Sequence, residues 1–141
     1  MRVWTNGCFD LLHYGHVHFL KRCAAMGDLT VWLNTDVSIH SLKGEGRPIV
    51  SQAHRELMIE ALIPNVRVRS FGYHSPVIIW ERFPQSELPQ MYIKEVGCEQ
   101  SDEVKFLQSR GIMCAFVPRI AGISTTEIVA KCRAVEPPNA A

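Results

Sequence analysis

Thr5-Asn6-Gly7-Cys8-Phe9-Asp10-Leu11-Leu12-His13-Tyr14-Gly15-His16 joins two segments of different periodicity. Before it, Arg2 to Thr5 is short and strand-like. After it, from about Gly15 to Met26, Val17, Leu20 and Ala24 recur at helical spacing, Lys21 and Arg22 lie elsewhere, and Gly27 follows as a C-terminal cap. A strand-to-helix junction is where open α/β sheets bind ligands. The helix N-terminus offers unpaired N–H groups and the positive end of a dipole, and Gly7 and Gly15 let backbone approach a phosphate without side-chain interference. His13 and His16, three apart, share one face, so two imidazoles can address one polyphosphate and donate to its oxygens as charge develops.

Taken as an isolated pair, the two histidines read equally as surface residues near a helix start or as metal ligands. A metal site needs a third ligand, and His18 stands five residues beyond His13, about 140° further round a helix. The three imidazoles do not converge. A hydrolytic metal centre completed by Asp10 or Asp36 lacks a convergent third ligand in the same way, so no metal cage is expected.

Outward from this junction, strand-length apolar runs alternate with helical segments, the pattern of a single Rossmann-like α/β domain with a mostly parallel sheet flanked by helices. Leu29 to Leu33 reads as the second strand. Ser38 to Val50, with Gly44, Gly46 and Pro48 among charged residues, reads as a mobile loop, and Ser51 caps a helix over Gln52 to Ile63 that Pro64 stops. Val66 to Ser70 follows as a strand. Three prolines between 75 and 90 leave room for one short helix. Met91 to Lys94 and Ile112 to Val117 read as strands, Ser101 to Ser109 and Ser124 to Cys132 as helices, and 134–141, with Pro137-Pro138, as a tail to a domain over 1–133.

Composition narrows the function classes. A chain of 141 residues, 47% hydrophobic, can bury one core without disulfides or metal, and a net charge of +1 supplies no broad basic field for nucleic acid or an anionic membrane. Any anion must meet a local site. Cys8, Cys23, Cys98, Cys114 and Cys132 contain no C-x-x-C pair, as expected of reduced thiols in a cytoplasmic protein, and the N-terminus lacks the charged-then-apolar layout of a signal peptide.

A second phosphate-binding segment lies near the opposite end. Ser124 and Thr125 fall where a helix begins after Gly122, so hydroxyls and backbone N–H groups can hold a triphosphate, although an isolated Ser-Thr-Thr would read first as an ordinary cap. Together, Thr5-x-Gly7-x-Phe9-Asp10-x-x-His13-x-Gly15-His16 and Gly122-Ile123-Ser124-Thr125-Thr126 resemble the two signatures of the H-x-G-H nucleotidyltransferases, over residues 2 to about 133. That family includes glycerol-3-phosphate cytidylyltransferase and the sugar-phosphate adenylyltransferases.

The resemblance implies in-line attack of an acceptor phosphate on the α-phosphorus of a nucleoside triphosphate, with pyrophosphate leaving and no covalent enzyme intermediate. Such chemistry asks for positioning and charge stabilisation. It assigns catalysis to His13, His16, Lys43 and Arg119, and nucleotide binding to Thr5, Gly7, Cys8, Phe9, Asp10, Gly15, Gly122, Ile123, Ser124 and Thr125. Lys43 matches the lysine-bearing loop of the adenylyltransferases, with glycines that let it close over substrate. Arg119 matches the arginine before the second signature. Arg55 matches an arginine opening the family's following helix and, with Asp36, is the candidate acceptor-phosphate group. A Mg²⁺ ion bound mainly through substrate phosphates is implied as cofactor. The partners implied are a nucleoside triphosphate and a phosphorylated small-molecule acceptor, a polyol or sugar phosphate; a homodimer is left open, and neither nucleic acid nor membrane is expected.

The chain departs from the family after the penultimate strand, where Ile93-Lys94-Glu95-Val96-Gly97-Cys98 replaces a glycine- and aspartate-rich turn that helps select base and acceptor. The first signature and the Lys43 loop resemble heptose-phosphate adenylyltransferases, whereas Pro118-Arg119 to Thr126 resembles glycerol-3-phosphate cytidylyltransferase. Arg119 tips the expectation to CTP, with a heptose-phosphate-type adenylyltransferase or a non-catalytic nucleotide sensor as alternatives.

Overall fold

Alternation along the strands decides how the layers stack. In the computed structural model, which describes residues 1–135, Val3, Leu29, Val31, Leu33, Met91 and Ile93 point to one core, while Trp4, Trp32 and Tyr92 point to the other. Successive side chains leave a strand on opposite faces, so a sheet apolar on both faces must be covered twice. The elements are β1 (Arg2–Gly7), α1 (Tyr14–Ala24), β2 (Asp28–Asn34), α2 (Asp36–Lys43), α3 (Gln52–Leu62), β3 (Arg67–Phe71), α4 (Val77–Trp80), β4 (Met91–Glu95), α5 (Asp102–Ser109), β5 (Met113–Val117) and α6 (Thr125–Ala134), with a 3₁₀ turn over Gln85–Glu87. The first core is closed by Phe19, Leu20 and Cys23 of α1 and Ile59 of α3, the second by Trp80 of α4 and Val104 and Leu107 of α5.

All five strands are parallel, in the order β3-β2-β1-β4-β5. The chain builds outward from β1 to β3, then crosses back to place β4 on the other side of β1. Connections therefore leave β1 and β4 in opposite directions, and a crevice opens beyond their C-terminal ends, the switch point at which such sheets take ligands. The expected Rossmann-like architecture holds.

Three local expectations are corrected. The stretch from Ser38 is not loop throughout: α2 runs to Lys43, because Thr35 caps it, its hydroxyl accepting from the Ser38 N–H at 3.2 Å, and because Ile39 is fully buried. Only then does Gly44, at φ 87°, end the helix. The buried stripe of α1 is Phe19, Leu20 and Cys23, with Val17 turned toward a shallow outer groove beside Tyr14, His18 and Lys21, and its C-cap is Ala25, not Gly27. The tail lies, from residue 136 on, outside the described residues. No helix among the described residues is long and apolar enough to cross a membrane.

Candidate active site

The junction after β1 begins with backbone that most residues avoid. Phe9 and Leu11 have φ of 48° and 53°, so residues 8–13 double back tightly before α1. Phe9 folds its buried ring over Gly7, where a Cβ would stand 2.9 Å from the ring's Cε2. The same ring meets His16 edge-on, centroids 5.4 Å apart. Gly15 has a similar role, since a Cβ there would lie 2.9 Å from His13 Cε1 and 3.3 Å from Ile123 Cγ2. Its small size lets the segment before α6 pack on the start of α1. Thr125 completes that join, its hydroxyl donating to the Asp10 carbonyl at 2.9 Å.

His13 and His16 form a reciprocal cap on α1. His13 Nδ1 accepts from the Gly15 N–H at 3.0 Å, and His16 Nδ1 accepts from the His13 N–H at 3.3 Å. An imidazole that accepts at Nδ1 carries its proton at Nε2, so each neutral ring presents an N–H away from the helix backbone. The rings stack with centroids 3.8 Å apart. Burial, then the neighbouring His13, against the opposing charge of Asp10, holds the His16 pKa down to about 4. Burial also lowers His13, against the raising influence of Glu95. Both rings are thus kept as neutral donors near pH 7.

Around them lies a cleft of ≈ 370 Å³ that gathers Gly7, Cys8, Phe9, Asp10, His13, Gly15, His16, Lys43, Arg119, Ile123, Ser124 and Thr125 from the residues singled out in the sequence. It also takes in residues that sequence reasoning missed: Asn6, Arg47, Lys94 and Glu95 among them. Lys94 Nζ donates to the Asn6 carbonyl at 2.8 Å, bridging β1 and β4 at the switch point. The Asn6 side chain is itself held, its amide donating to Glu103 at 3.2 Å and its oxygen accepting from the buried Tyr92 hydroxyl. No side-chain spacing along the chain announces Lys94. Its place at the C-terminal end of a strand beside β1 is the one available signal.

Several assigned residues also hold the frame of the cleft. Thr5 is buried and donates to the Ile93 carbonyl at 2.7 Å, and Gly122 turns the chain at φ 78° without lining the cleft. Ser124 caps α6, accepting from the Glu127 N–H at 3.1 Å. The Asp10 carboxylate is occupied by the loop after α2, accepting from Ile49 N–H (2.8 Å), Val50 N–H (2.8 Å) and Arg47 Nε (2.9 Å). Burial pushes its pKa upward, but those three donors outweigh burial and hold the carboxyl below its ordinary value. Burial raises the Cys8 thiol despite the surrounding cations, which disfavours the thiolate a nucleophile would need.

Arg55 and Asp36 are corrected most sharply, for neither lines the cleft. Arg55 is 1% exposed, and its guanidinium donates to the carbonyls of Val50 (2.9 Å), Cys8 (2.8 Å) and Asn34 (2.8 Å) and to the Asp36 carboxylate (2.7 Å). Asp36 also accepts from the Gln52 N–H at 2.8 Å, at the start of α3. With four donors so used, Arg55 ties the ends of β1 and β2 to the loop and cannot serve an acceptor phosphate without dismantling it. No group of three His, Cys, Asp or Glu among the described residues could hold a metal ion.

The fold and site define a Rossmann-like α/β domain with a cleft lined by two histidines and four cationic side chains at its switch point. The chain belongs to the cytidylyltransferase-like family, whose model matches residues 4–131. It is similar to the bifunctional protein HldE of Geotalea uraniireducens (37% identical over 134 residues, 93% of this chain and 26% of that protein). HldE of Helicobacter pylori strain J99 is 34% identical over 140 residues, 93% of this chain and 27% of that protein. The chain thus spans about a quarter of the length of these curated relatives. A solved structure, the lipopolysaccharide core biosynthesis protein from Thermoplasma volcanium GSS1, shares the fold with a TM-score of 0.60 at 24% identity, over 85% of this chain and 96% of that one.

Two predictions follow from this geometry. Arg55→Ala leaves three carbonyls without this donor and should lower stability to urea by about 1–3 kcal/mol, the scale for leaving buried polar groups unsatisfied; a loss within about 0.5 kcal/mol would show that the tie is dispensable. His16 sets a pH dependence. Between the ordinary imidazole pKa and about 4, the unfolded chain binds a proton that folded His16 refuses, so stability falls as pH drops through that window. His16→Gln, which can still cap at that position, should flatten the fall between pH 6.5 and 4.5; equal slopes in the two proteins would contradict the lowered pKa.

Proposed function

We propose that this chain is a nucleotidyltransferase that moves AMP from ATP to a sugar phosphate of the heptose-phosphate type, releasing pyrophosphate. The observation that carries transfer chemistry is the His13–His16 pair, two neutral Nε2–H donors at a helix start in a cleft also lined by Lys43, Arg47, Lys94 and Arg119. The HldE relatives favour the adenylyltransferase reading over the glycerol-3-phosphate cytidylyltransferase expected from the Arg119 end of the sequence.

In this reaction an acceptor phosphate oxygen forms a bond to the α-phosphorus as the bond from that phosphorus to the bridging oxygen of the β-phosphate breaks, and pyrophosphate departs with that electron pair. His13 and His16 donate to phosphate oxygens whose charge grows in the transition state, which lowers the barrier more than it tightens ground-state binding. Lys43, at the exposed end of α2 beside Gly44, meets the triphosphate from the lip of the cleft. Gly7 and Gly15 keep the backbone close. With Asp10 committed to the loop and no three-ligand cluster among the described residues, the donor set suits a Mg²⁺ ion carried on the triphosphate, where it would neutralise phosphate charge.

The test is a matrix of ATP, CTP, GTP and UTP against heptose, glycerol and choline phosphates, read as pyrophosphate release. ATP with a sugar phosphate should give acceptor-dependent release, and His16→Ala should lower kcat by roughly 10²- to 10³-fold. CTP with glycerol phosphate as the best pair would overturn the adenylyl assignment. Nucleotide binding with no pair turning over above the His16→Ala background would make the protein a sensor.

A further inference from the structure

Two arginines enter the cleft, and each is held by a carboxylate at the same edge of its guanidinium. On the loop side, Arg47 Nε lies 2.9 Å from Asp10. On the β4–β5 side, Arg119 Nε lies 2.8 Å from Glu95 Oε2. Neither guanidinium makes a further hydrogen bond or ion pair through its terminal nitrogens among the described residues. A carboxylate that took the Nη edge would compete with phosphate for the fork; one that takes Nε alone leaves four N–H donors available for it.

Glu95 is well placed to aim such a fork. It ends β4, in register with Val117 at the end of β5, and the next residue's N–H donates to the Val117 carbonyl at 3.0 Å. Its backbone is therefore set by the sheet. Arg119 has no such support, since it lies in the irregular stretch between β5 and α6 with its side chain 67% exposed. An unheld arginine there must be ordered when the ligand arrives, at an entropic cost to binding. Glu95 also lies near enough to His13 to oppose, without overcoming, the burial that lowers that ring's pKa.

We propose that Glu95 is a positioning residue, which orients Arg119 so that its terminal nitrogens face the phosphates of the bound nucleotide. The inference rests on the nucleotidyl-transfer reading and adds a role for the segment that replaces the family's glycine- and aspartate-rich turn. A carboxylate in an anion site would otherwise only repel its ligand. Here the repulsion is offset by its effect on Arg119, and the two alternatives have opposite signs.

The experiment is titration of Mg·ATP and Mg·CTP into wild type, Glu95→Ala, Arg119→Ala, the double variant and Glu95→Gln, with steady-state turnover alongside. Glu95→Ala should weaken the preferred nucleotide by about threefold, seen in KM more than in kcat, the scale for a solvent-exposed ion pair. Glu95→Gln, which keeps the shape but loses the charge of the ion pair, should recover little of that loss. In the Arg119→Ala background, removal of Glu95 should cost nothing further, because its effect passes through the missing guanidinium. Unchanged or tighter binding by Glu95→Ala, or losses that simply add in the double variant, would overturn the assignment. A wild-type protein that binds neither nucleotide would overturn the proposed function as well, whereas wild-type binding with an indifferent Glu95→Ala removes this inference alone.

Discussion

The buried guanidinium of Arg55 is the constraint on which the site depends. Strands of a parallel sheet end in carbonyls that point into the switch-point crevice, and buried carbonyls need donors. Arg55 supplies them to Cys8 after β1, Asn34 at the end of β2 and Val50 in the loop, with Asp36 balancing its charge. A planar five-donor group meets such divergent acceptors where a lysine, with its single nitrogen, would not. Asp10 acts in the complementary sense, gathering N–H groups of Ile49 and Val50. Between them the segments 8–13 and 47–50 are fastened together, which fixes the approach to α1 and hence the two imidazoles.

Once that frame is set, charge is arranged with restraint. The cleft holds Lys43, Arg47, Lys94 and Arg119, but Arg47 and Arg119 each face a carboxylate and Lys94 faces a carbonyl. The groups nearest the helix start are neutral imidazoles, kept so by burial. Neutral donors fixed in place cost less to bury than imidazolium ions and need little reorganisation when a phosphate oxygen gains charge. The overall charge of +1 conceals this local pattern of directed N–H groups, which no broad field accompanies.

Periodicity made the layers legible: runs of strand length and the helices between them follow from apolar spacing, and the junction bearing Gly7 and Gly15 marks the cleft at the switch point. Failures came where a tertiary contact outweighed local composition. Ser38 to Lys43 reads as loop because of the glycines beyond it, yet the Thr35 cap and buried Ile39 make it helical. Val17 fits the apolar stripe of α1 as well as Phe19 does, and only the sheet decides between them. Arg55 and Asp10 look like ligand-facing charges in one dimension; three-dimensional satisfaction of backbone groups claims both. Lys94 and Glu95 have no spacing signal, because their role arises from strands adjacent in the sheet but distant in sequence.

His13 and His16 stand as neutral Nε2–H donors held by backbone at Nδ1, and in the proposed reaction they meet a nucleotide. Nitrogen NMR of the two imidazoles at pH 7, in the presence and absence of a non-hydrolysable ATP analogue with Mg²⁺, tests this directly. Unprotonated Nδ1 and protonated Nε2 are expected in both rings before ligand is added, with a shift of both Nε2–H signals on binding. A proton on Nδ1, an imidazolium in the free protein, or Nε2–H signals indifferent to a nucleotide that demonstrably binds would contradict it.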